Sequence, residues 1–397
     1  MAERLQPATL AELAAAIADS DGPLEILGRG SKRGFGRPIQ TGRSLDLSRL
    51  SGVTLYEPDE LVLTAGAGTP LREIEARLSA SRQILAFEPP DLGPLYGLPP
   101  GQATLGGVIA CNLSGPRRVK VGAARDYVLG CTVANGRGEI VKTGGRVMKN
   151  VTGYDLSKLI TGSFGTLVAM AEATLKVLPA PEEVRTFSLR DLDDASAVLT
   201  MNKALGGAQD VSAAAHLPEE AARRTPLRSA GAAVTLLRLE GTAASVAHRL
   251  AMLQEEISMT GTVLGEEDSL AAWRAVRDVA PFLEDAGEAL WRVSLPPTAG
   301  AATIRAVGEG FRYFYDWGGG LIWLGLPAEG DGGAAKVRDA IAAVGGHATL
   351  VRAPVALRAA VDVFQPQDAA LAALTHRVKE SFDPLGRFNP GRMYRDV

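Results

Sequence analysis

The chain has 397 residues, of which 46% are hydrophobic and 22% are charged, so it is long enough for more than one domain and apolar enough to fill their cores. Its net charge of −3, without a long block of Lys and Arg, argues against nucleic acid as the main partner. The two cysteines, Cys111 and Cys131, suit a reducing cytoplasm, and they are too few for a disulfide scaffold or for the four ligands of an iron–sulfur cluster.

The N-terminal segment predicts a helix. Thr9 and Glu12 have the Thr-x-x-Glu spacing of a capping box and stand ahead of an apolar face. Charged residues interrupt this segment too early for a signal sequence, and no later run approaches the ~18 apolar residues of a membrane span. We therefore expect a cytoplasmic protein that reaches the inner membrane only through a partner.

Glycines dominate the loop after the first buried-type strand, LEILG. They do not have the G-x-G-x-x-G spacing of a Rossmann motif, and no convincing helix follows them. Backbone N–H groups beside Lys32 and Arg33 instead favour an anion-binding nest, with an ordinary structural loop as the alternative. The glycines are Gly28, Gly30, Gly34 and Gly36.

We expect a helix that begins with Thr69 as N-cap and Pro70 at its first position. A second stretch of bare backbone, meaning glycines and residues with small side chains, follows this helix. In the run GQATLGGVIACNLSG, small side chains and hydrogen-bond donors lie within a dozen residues. We expect a loop here. Its small residues are Thr104, Gly106, Gly107, Asn112, Ser114 and Gly115.

A third such stretch follows a predicted hairpin, YVLGCTVANGRGEIV, in which Cys131 is a core residue. After a short helix from Asp155, the run ITGSFGTLV places Gly162 and Gly165 around Ser163. These glycines serve either a tight turn or the close approach of a ligand. Three bare stretches in one half of the chain favour a long ligand, such as a dinucleotide, held at several points.

Five ordered motifs resemble those of the vanillyl-alcohol oxidase and p-cresol methylhydroxylase (PCMH) family, whose members bind FAD. Within this family, the chain is most similar to the smaller flavin-binding subunits of bacterial complexes that oxidise glycolate. The resemblance covers nearly the whole chain. The motifs are LGRGSKRG, TAGAGTPL, ATLGGVIACNLSGP, KNVTGYDLSKLITGSFGTL and FDPLGRFNPGR.

The resemblance implies which residues bind the FAD pyrophosphate. One side of the cradle is the backbone of Gly28, Arg29, Gly30, Ser31 and Lys32. The other side is formed by Thr104, Gly106 and Gly107.

The remaining motifs are implied to contact the other parts of the cofactor. Asn112 and Ser114 lie near the flavin or its ribityl chain, and the adenosine half lies close to Gly162, Ser163, Gly165 and Val168. Asn389 and Arg392 return to the flavin domain from the C-terminus, where Arg392 either offsets negative charge on the cofactor or forms a salt bridge in the tail. We expect the FAD to be non-covalent, because family members that tether it do so through a histidine or a cysteine. No histidine precedes His216, and both cysteines are expected to be buried.

In the second half, strands alternate with helices without bare loops, which suits an antiparallel sheet with helices. Together with the resemblance, this predicts an α+β protein of three segments. Residues 1–180 form a two-lobed PCMH-type FAD-binding domain, residues 181–355 form a cap domain with an antiparallel sheet, and residues 356–397 return to the FAD domain.

The cap departs from the pattern of relatives that oxidise 2-hydroxy acids, which carry clustered histidines and an acidic residue that hold a metal. The four histidines, His216, His248, His347 and His376, have no metal-ligand spacing, so we expect no metal. His347 is the candidate base or orienting group, and Arg352 is the candidate carboxylate binder. Trp317 is expected to pack in the cap, where it is placed to line a pocket.

The function that follows is an FAD-dependent oxidoreductase subunit of a complex that oxidises a short 2-hydroxy acid such as glycolate. Its expected partners are a second flavoprotein subunit and an iron–sulfur subunit. One alternative is a stand-alone FAD-dependent 2-hydroxy-acid oxidoreductase. A nucleotide-binding regulatory protein without flavin is a further alternative of another class.

Overall fold

The computed structural model describes residues 3–145, 154–227, 231–285, 287–395 and 397. Residues 149–153, which open the motif KNVTGYDL, lie outside the described residues. The chain divides into two compact units. Unit 1 comprises Met1–Ser114, Gly122–Ala180 and Pro366–Val397, and unit 2 comprises Gly115–Val121 and Pro181–Gln365. The functional division into an FAD domain, a cap and a returning tail stays a prediction.

Unit 1 combines short helices with strands. Its described helices are α1 (Leu10–Ala18), α2 (Leu71–Ser79), α3 (Leu105–Cys111), α5 (Ala124–Tyr127), α6 (Leu156–Ile160) and α14 (Ala369–Phe382); α4 (Arg118–Val121) belongs to unit 2. Its described strands are β1 (Glu3–Leu5), β2 (Glu25–Leu27), β3 (Arg43–Asp46), β4 (Val53–Glu57), β5 (Val62–Gly66), β6 (Gln83–Ile84), β7 (Val128–Ala134), β8 (Ile140–Gly144), β9 (Ala169–Lys176) and β10 (Leu178–Pro179).

The described strands of unit 1 form three sheets. Strands β1, β3 and β2 form a parallel sheet in that order, and β6 pairs with β10. The largest sheet is antiparallel, in the order β4-β5-β9-β7-β8. All five residues of β5 are buried, so both faces of this sheet are covered near its middle. Leu24, Leu45 and Phe388 are fully buried in one cluster, so the tail shares a core with the parallel sheet.

Two predicted helix starts are confirmed. The Thr9 hydroxyl accepts from the Glu12 N–H, and the Glu12 carboxylate accepts from the Ala8 N–H, so the α1 start has two reciprocal caps. Asp155 caps α6 by accepting from the Lys158 N–H. The predicted hairpin is also confirmed as β7 and β8, and Cys131 is buried.

Two predictions around the second motif are wrong. Helix α2 starts at Leu71 with Pro70 as its N-cap residue, because the Thr69 hydroxyl bonds instead to the Gly66 carbonyl at 2.6 Å. The expected loop after residue 103 contains α3. Its apolar residues Leu105, Val108 and Ile109 share one face and are buried, and this burial outweighs the low helix propensity of the two glycines.

Unit 2 is built from longer elements. Its described helices are α4, α7 (Asp194–Gly206), α8 (Glu219–Arg223), α9 (Ala243–Ile257), α10 (Glu266–Arg277), α11 (Gly300–Val307), α12 (Ala334–Ala342) and α13 (Val355–Ala360). Its described strands are β11 (Glu183–Arg190), β12 (Ala213–Leu217), β13 (Val234–Gly241), β14 (Gly261–Leu264), β15 (Ala289–Ser294), β16 (Arg312–Asp316), β17 (Leu321–Leu326) and β18 (His347–Arg352).

These strands form one antiparallel sheet of eight, in the order β14-β11-β13-β12-β16-β17-β15-β18. Every residue of β12 and β17 is buried, so the middle of the sheet is covered on both faces. Helices α7, α9 and α10 pack against strands on the β11–β12 side, and α12 packs against β18. The predicted α+β class, with an antiparallel sheet in the second half, is confirmed. In the part of the chain that the structure describes, no helix combines the length and the apolar character that crossing a membrane requires.

A buried ammonium anchors the C-terminal tail to unit 1. The Nζ of Lys379 on α14 donates to the Thr166 carbonyl at 2.6 Å, to the Asp383 carboxylate at 2.7 Å and to the Phe388 carbonyl at 2.9 Å. Burial lowers the pKa of Lys379, while Asp383 opposes that shift. The same carboxylate accepts from the Phe388 N–H at 2.7 Å, so one ion pair fixes both the helix and the segment after it.

Replacing Lys379 with Met should destabilise the protein by about 3 kcal/mol, because the Asp383 carboxylate is then left buried without its cation. Lys142→Met on the exposed side of β8 is the matched control and should change stability by less than about 0.5 kcal/mol. Chemical denaturation of both variants measures the difference. Equal stability of the two variants would show that the buried ion pair does not anchor the tail.

Candidate functional site

A cavity in unit 1 gathers residues from four separated parts of the sequence. They come from the loop after β2, from α3, from the loop after α6, and from the C-terminal tail. Thirteen of the sixteen predicted cofactor residues line it: Gly28, Arg29, Gly30, Ser31, Lys32, Thr104, Gly106, Gly107, Ser163, Gly165, Val168, Asn389 and Arg392. Their assignment to particular parts of the cofactor stays a prediction.

The loop after β2 brings a cation to the cavity. Gly30 has φ of 77°, a left-handed conformation that glycine adopts without strain and that a residue with Cβ rarely adopts. The Lys32 Nζ lies 3.1 Å from the Ser31 hydroxyl, and burial lowers the pKa of Lys32 below its usual range, while Cys111 and Asp91 oppose the shift. A desolvated ammonium gains from an anionic ligand, so this loop fits a phosphate group.

The two glycines of α3 have different neighbours. A Cβ on Gly106 would lie 2.7 Å from the Cβ of Ala67 and 3.0 Å from its carbonyl oxygen, so Gly106 lets the helix pack against the protein itself. A Cβ on Gly107 would lie 3.2 Å from the Cε of Lys32 and 3.3 Å from its Nζ. Gly107 therefore keeps space open beside the cavity's ammonium group.

In the loop after α6, one glycine serves a tight turn and the other lines the cavity, which are the two roles that the sequence allowed. Gly162 has φ of 90° and serves the turn, and it is not among the cavity-lining residues. Gly165 also has a positive φ, and it lines the cavity. Its absent side chain makes room for Asn389, whose Nδ2 would lie 2.8 Å from a Cβ at Gly165.

The tail closes the cavity with two buried polar side chains. Asn389 accepts from the Ile26 N–H at 2.8 Å and donates to the Phe164 carbonyl at 2.8 Å, so it ties β2 to the loop after α6. Arg392 donates to the Arg33 carbonyl at 3.0 Å, and it also forms an ion pair with Glu25 at 3.3 Å. Arg392 thus has partners in the protein as well as a place in the cavity wall.

Two of the predicted flavin contacts have other partners in the structure, and neither residue is among those that line the cavity. The Asn112 side-chain oxygen accepts from the Arg125 N–H at 3.1 Å, and the Ser114 hydroxyl accepts from the Ala124 N–H at 2.8 Å. Both side chains organise the start of α5. Their contact with the flavin stays a prediction.

Sequence reasoning missed the apolar part of the cavity. Phe35 and Phe164 lie edge to face, with ring centroids 5.0 Å apart, and Ile160 and Met170 also line the wall. The cavity therefore combines cationic and bare-backbone parts with an apolar, aromatic part, which is the combination that a nucleotide with a pyrophosphate and rings requires. Apolar residues beside each glycine-rich motif were the available signal.

Cys111 is a further lining residue, and it is only partly buried, whereas the sequence predicted that both cysteines are buried. Burial raises the pKa of its thiol to about 11, although Lys32 and Arg392 oppose the shift. The thiol is therefore protonated at neutral pH and is a poor nucleophile. Burial likewise raises the pKa of Cys131 to about 11.

The two candidate catalytic residues lie in unit 2, at opposite ends of β18. His347 is partly solvent-exposed, and its pKa is lowered by desolvation and by the positive charges of Arg292 and Arg118. Arg352 is buried and donates to the Phe282 carbonyl at 2.7 Å and to the Asp285 carbonyl. His347 is thus neutral at neutral pH, whereas Arg352 already holds two backbone carbonyls.

The residues that the structure describes include no set of metal ligands. Among these residues, His, Cys, Asp and Glu side chains nowhere gather in a group of three that a metal ion would need. His216 is buried beside Thr235, 2.8 Å from its hydroxyl, and its other ring nitrogen lies 3.5 Å from Asp194. It is part of a polar network in the core of unit 2.

Comparisons with known proteins give the chain its relatives. A family model described as an FAD binding domain matches residues 3–144. Glycolate oxidase subunit GlcE of Escherichia coli is 37% identical over 98% of this chain and 97% of its own length. Glycolate oxidase subunit GlcD of Bacillus subtilis is 42% identical, over 38% of this chain and 30% of its own length. The 4-ethylphenol oxidase of Gulosibacter chungangensis has the same fold, with a TM-score of 0.72 at 14% identity, over 98% of this chain and 88% of its own.

Replacing Gly107 with Ala should weaken FAD binding about tenfold while the fold survives, because the added methyl group displaces Lys32 and alanine favours the helix. Gly106→Ala should instead destabilise the protein, because its methyl group meets Ala67. Gly22→Ala has open space around it and is the control. Fluorescence titration of the apoprotein with FAD and thermal unfolding measure both quantities. Unchanged affinity in a folded Gly107→Ala variant would remove α3 from the cofactor site.

FAD affinity should fall as the pH rises through the lowered pKa of Lys32, because only the protonated amine attracts a phosphate. Binding should accordingly be coupled to proton uptake near that pKa, since the phosphate raises it. The variant Lys32→Met should bind FAD more weakly at neutral pH and lack this pH dependence, whereas Lys142→Met should behave like the parent. A pH dependence that persists in Lys32→Met would assign it to another group.

Proposed function

Because the chain belongs to the FAD-linked oxidoreductase family that includes glycolate oxidase subunit GlcE, we propose that it is the FAD-binding subunit of a complex that oxidises glycolate to glyoxylate. The predicted family, the FAD cofactor and the class of FAD-dependent oxidoreductase are confirmed. The 37% identity extends over 98% of this chain, so it includes unit 2 as well as the FAD-binding region.

The cavity of unit 1 is the single observation that carries the proposal. The loop after β2 and the bare face of Gly107 supply backbone and ammonium groups for a pyrophosphate, and Phe35 and Phe164 supply an apolar wall. When bound, FAD would supply the acceptor for a hydride from Cα of a 2-hydroxy acid, and a base would have to take the hydroxyl proton. The chain's own residues hold and orient the cofactor.

We propose that the FAD is held without a covalent bond. The first histidine in the sequence is His216, which belongs to unit 2 and is buried. Cys111 lines the cavity, but its thiol has a pKa of about 11, so it is protonated and weakly nucleophilic. Backbone contacts and ion pairing with Lys32 then account for retention of the cofactor.

His347 is the better candidate for the group that takes the hydroxyl proton. Its lowered pKa keeps the imidazole neutral at neutral pH, which is the form that accepts a proton. Arg352 remains the proposed carboxylate binder from the sequence, but its donors to Phe282 and Asp285 fix it within the protein. The geometry therefore favours His347 over Arg352 as a group that meets a substrate.

The electrons require a partner. Two cysteines cannot supply the four ligands of an iron–sulfur cluster, so we propose that an iron–sulfur subunit and a second flavoprotein subunit receive them. The names of the two relatives, subunits GlcE and GlcD of glycolate oxidase, support a complex of several subunits. Any contact with a membrane would run through these partners. The stand-alone oxidoreductase is the less favoured alternative.

The purified chain with FAD bound should reduce an artificial acceptor with glycolate at less than about a tenth of the rate of the co-expressed complex. The reason is that a single chain has no iron–sulfur subunit to receive the electrons, and its base candidate has no supporting metal site or acidic group among the described residues. The measurement compares the two preparations at equal FAD content. A comparable rate for the single chain would refute the subunit proposal and support the stand-alone enzyme. Absence of flavin reduction in both preparations would refute glycolate as the substrate.

A further inference from the structure

A groove in unit 1 lies apart from the cofactor cavity, between a strand and a helix. It has a volume of about 660 Å³, and none of the residues that line it also lines the cavity. Clefts of roughly 300–1,000 Å³ are typical of ligand-binding sites. Half of the lining residues come from β4 and half from α2: Val53, Thr54, Leu55 and Tyr56, and Glu73, Ala76, Arg77 and Ala80.

The groove follows the outer edge of β4. Successive side chains of a strand point to opposite faces of its sheet, so a groove that both Leu55 and Tyr56 line runs along the edge. In the part of the chain that the structure describes, β4 is the end strand of its sheet and pairs with β5 alone. The outer N–H and C=O groups of β4 are therefore open to pairing with an extended backbone.

A bulge shapes this edge. The register of β4 against β5 shifts between Val53 and Leu55, so Thr54 is an extra residue in β4. Its hydroxyl donates to the Glu172 carboxylate on β9 at 2.7 Å, which fixes the bulged residue. Bulges concentrate at sheet edges and beside functional sites, where they bend a strand or redirect a side chain. The regular part of the open edge begins at Leu55, so it suits a short segment of a few residues.

The helix supplies the other wall through one exposed face. Its four lining residues have the i, i+3, i+4, i+7 spacing of a single face, and all of them are exposed. Ala76 and Ala80 are small, so they leave room between α2 and β4. Glu73 and Arg77 place one negative and one positive charge beside that room. The opposite face of α2 is buried through Leu71, Ile74 and Leu78.

An aromatic ring holds Arg77 at the groove. Its guanidinium carbon lies over the Tyr56 ring, 5.6 Å from the centroid. The Tyr56 hydroxyl donates to the Gln83 side chain at 2.8 Å, and the Gln83 amide donates to the Pro58 carbonyl at 2.8 Å, so the ring itself is fixed. Stacking uses the flat face of a guanidinium and leaves the N–H groups at its edge to bind a carboxylate. Arg77 is therefore positioned for an acidic side chain in the groove.

We propose that this groove binds an extended segment of a partner polypeptide, which adds to β4 as a further strand and carries one basic and one acidic residue with one residue between them. An extended chain offers the N–H and C=O groups that a strand edge pairs with. Glu73 and Arg77 lie four residues apart on α2, about 6 Å along the helix axis. Alternate residues on one face of a strand lie about 7 Å apart, so a basic residue reaches Glu73 when an acidic one reaches Arg77. The proposal rests on unit 1 alone and does not depend on the proposed function.

The test is fluorescence anisotropy of two labelled heptapeptides, SVKVEVS and SVEVKVS, titrated with the full chain. They present the two charges in both orders and so cover both strand directions. The parent should bind one order about fivefold more tightly than the other, because the wrong order brings two pairs of like charges together. Glu73→Lys combined with Arg77→Glu should reverse that preference. Glu219→Lys combined with Arg223→Glu, at an exposed i, i+4 pair on α8, is the matched control and should keep the preference of the parent.

A further variant and a second measurement locate the bound peptide. Ala76→Phe puts an aromatic ring into the groove from an exposed helix position, so it should fold like the parent and bind both peptides at least about tenfold more weakly. Hydrogen–deuterium exchange in residues 53–57 of the parent should slow when the tighter peptide is added, because its backbone pairs with β4. Circular dichroism and thermal unfolding establish that each variant is folded.

Four results would each overturn the site. The first is no binding of either peptide by the parent, and the second is equal binding of both charge orders. The third is parental affinity in a folded Ala76→Phe variant, or parental preference in the folded variant with both charges of α2 reversed. The fourth is dimerisation of the parent in sedimentation that Ala76→Phe abolishes, because this would assign the edge to a second copy of the chain. Should Ala76→Phe fail to fold, the charge-reversed variant still decides.

Discussion

The cavity of unit 1 depends on one buried amide. Asn389 bonds to the Ile26 N–H, to the Phe164 carbonyl and, through its own N–H, to the Leu24 carbonyl. These bonds hold the end of β2 and the loop after α6 at the distance that leaves a cavity between them. Gly165 has no side chain at the point where the Asn389 amide lies against it. The Lys379 ammonium donates to the Phe388 carbonyl and so fixes the segment that carries Asn389. The cofactor loops are thus positioned by a residue more than two hundred positions away from either of them.

Local signals predicted much of this protein. The caps at Thr9 and Asp155 and the turn of the β7–β8 hairpin depend on neighbours within a few residues, so the sequence alone contains the whole interaction. Helix α3 was missed because its stability comes from burial of Leu105 and its neighbours, which outweighs local glycine propensity. The motifs predicted the glycine-rich segments that line the cavity. The aromatic wall of Phe35 and Phe164 depends on long-range packing, which no local sequence pattern predicts.

In unit 2, too, the sequence predicted individual candidate residues but not the long-range contacts between them. From the sequence, we predicted His347 as the base or orienting group and Trp317 as a residue that packs in the cap and is placed to line a pocket. Only the sheet register shows that His347 lies diagonal to Arg292. Only the fold brings Arg118, from a distant short helix, and Arg292 to the indole of Trp317. The guanidinium of Arg352 is a chemically suitable carboxylate binder, but its N–H groups donate to backbone carbonyls. The sequence could not identify these carbonyls.

We propose that FAD lies in the cavity of unit 1, between three separated segments and the C-terminal tail. Hydrogen–deuterium exchange of the apoprotein with and without FAD measures it most directly. We expect slower exchange on FAD addition in residues 26–33, 104–111, 160–168 and 388–392, with little change in strands β12, β13 and β17 of unit 2. Protection confined to unit 2, with unchanged exchange in those four segments, would contradict it.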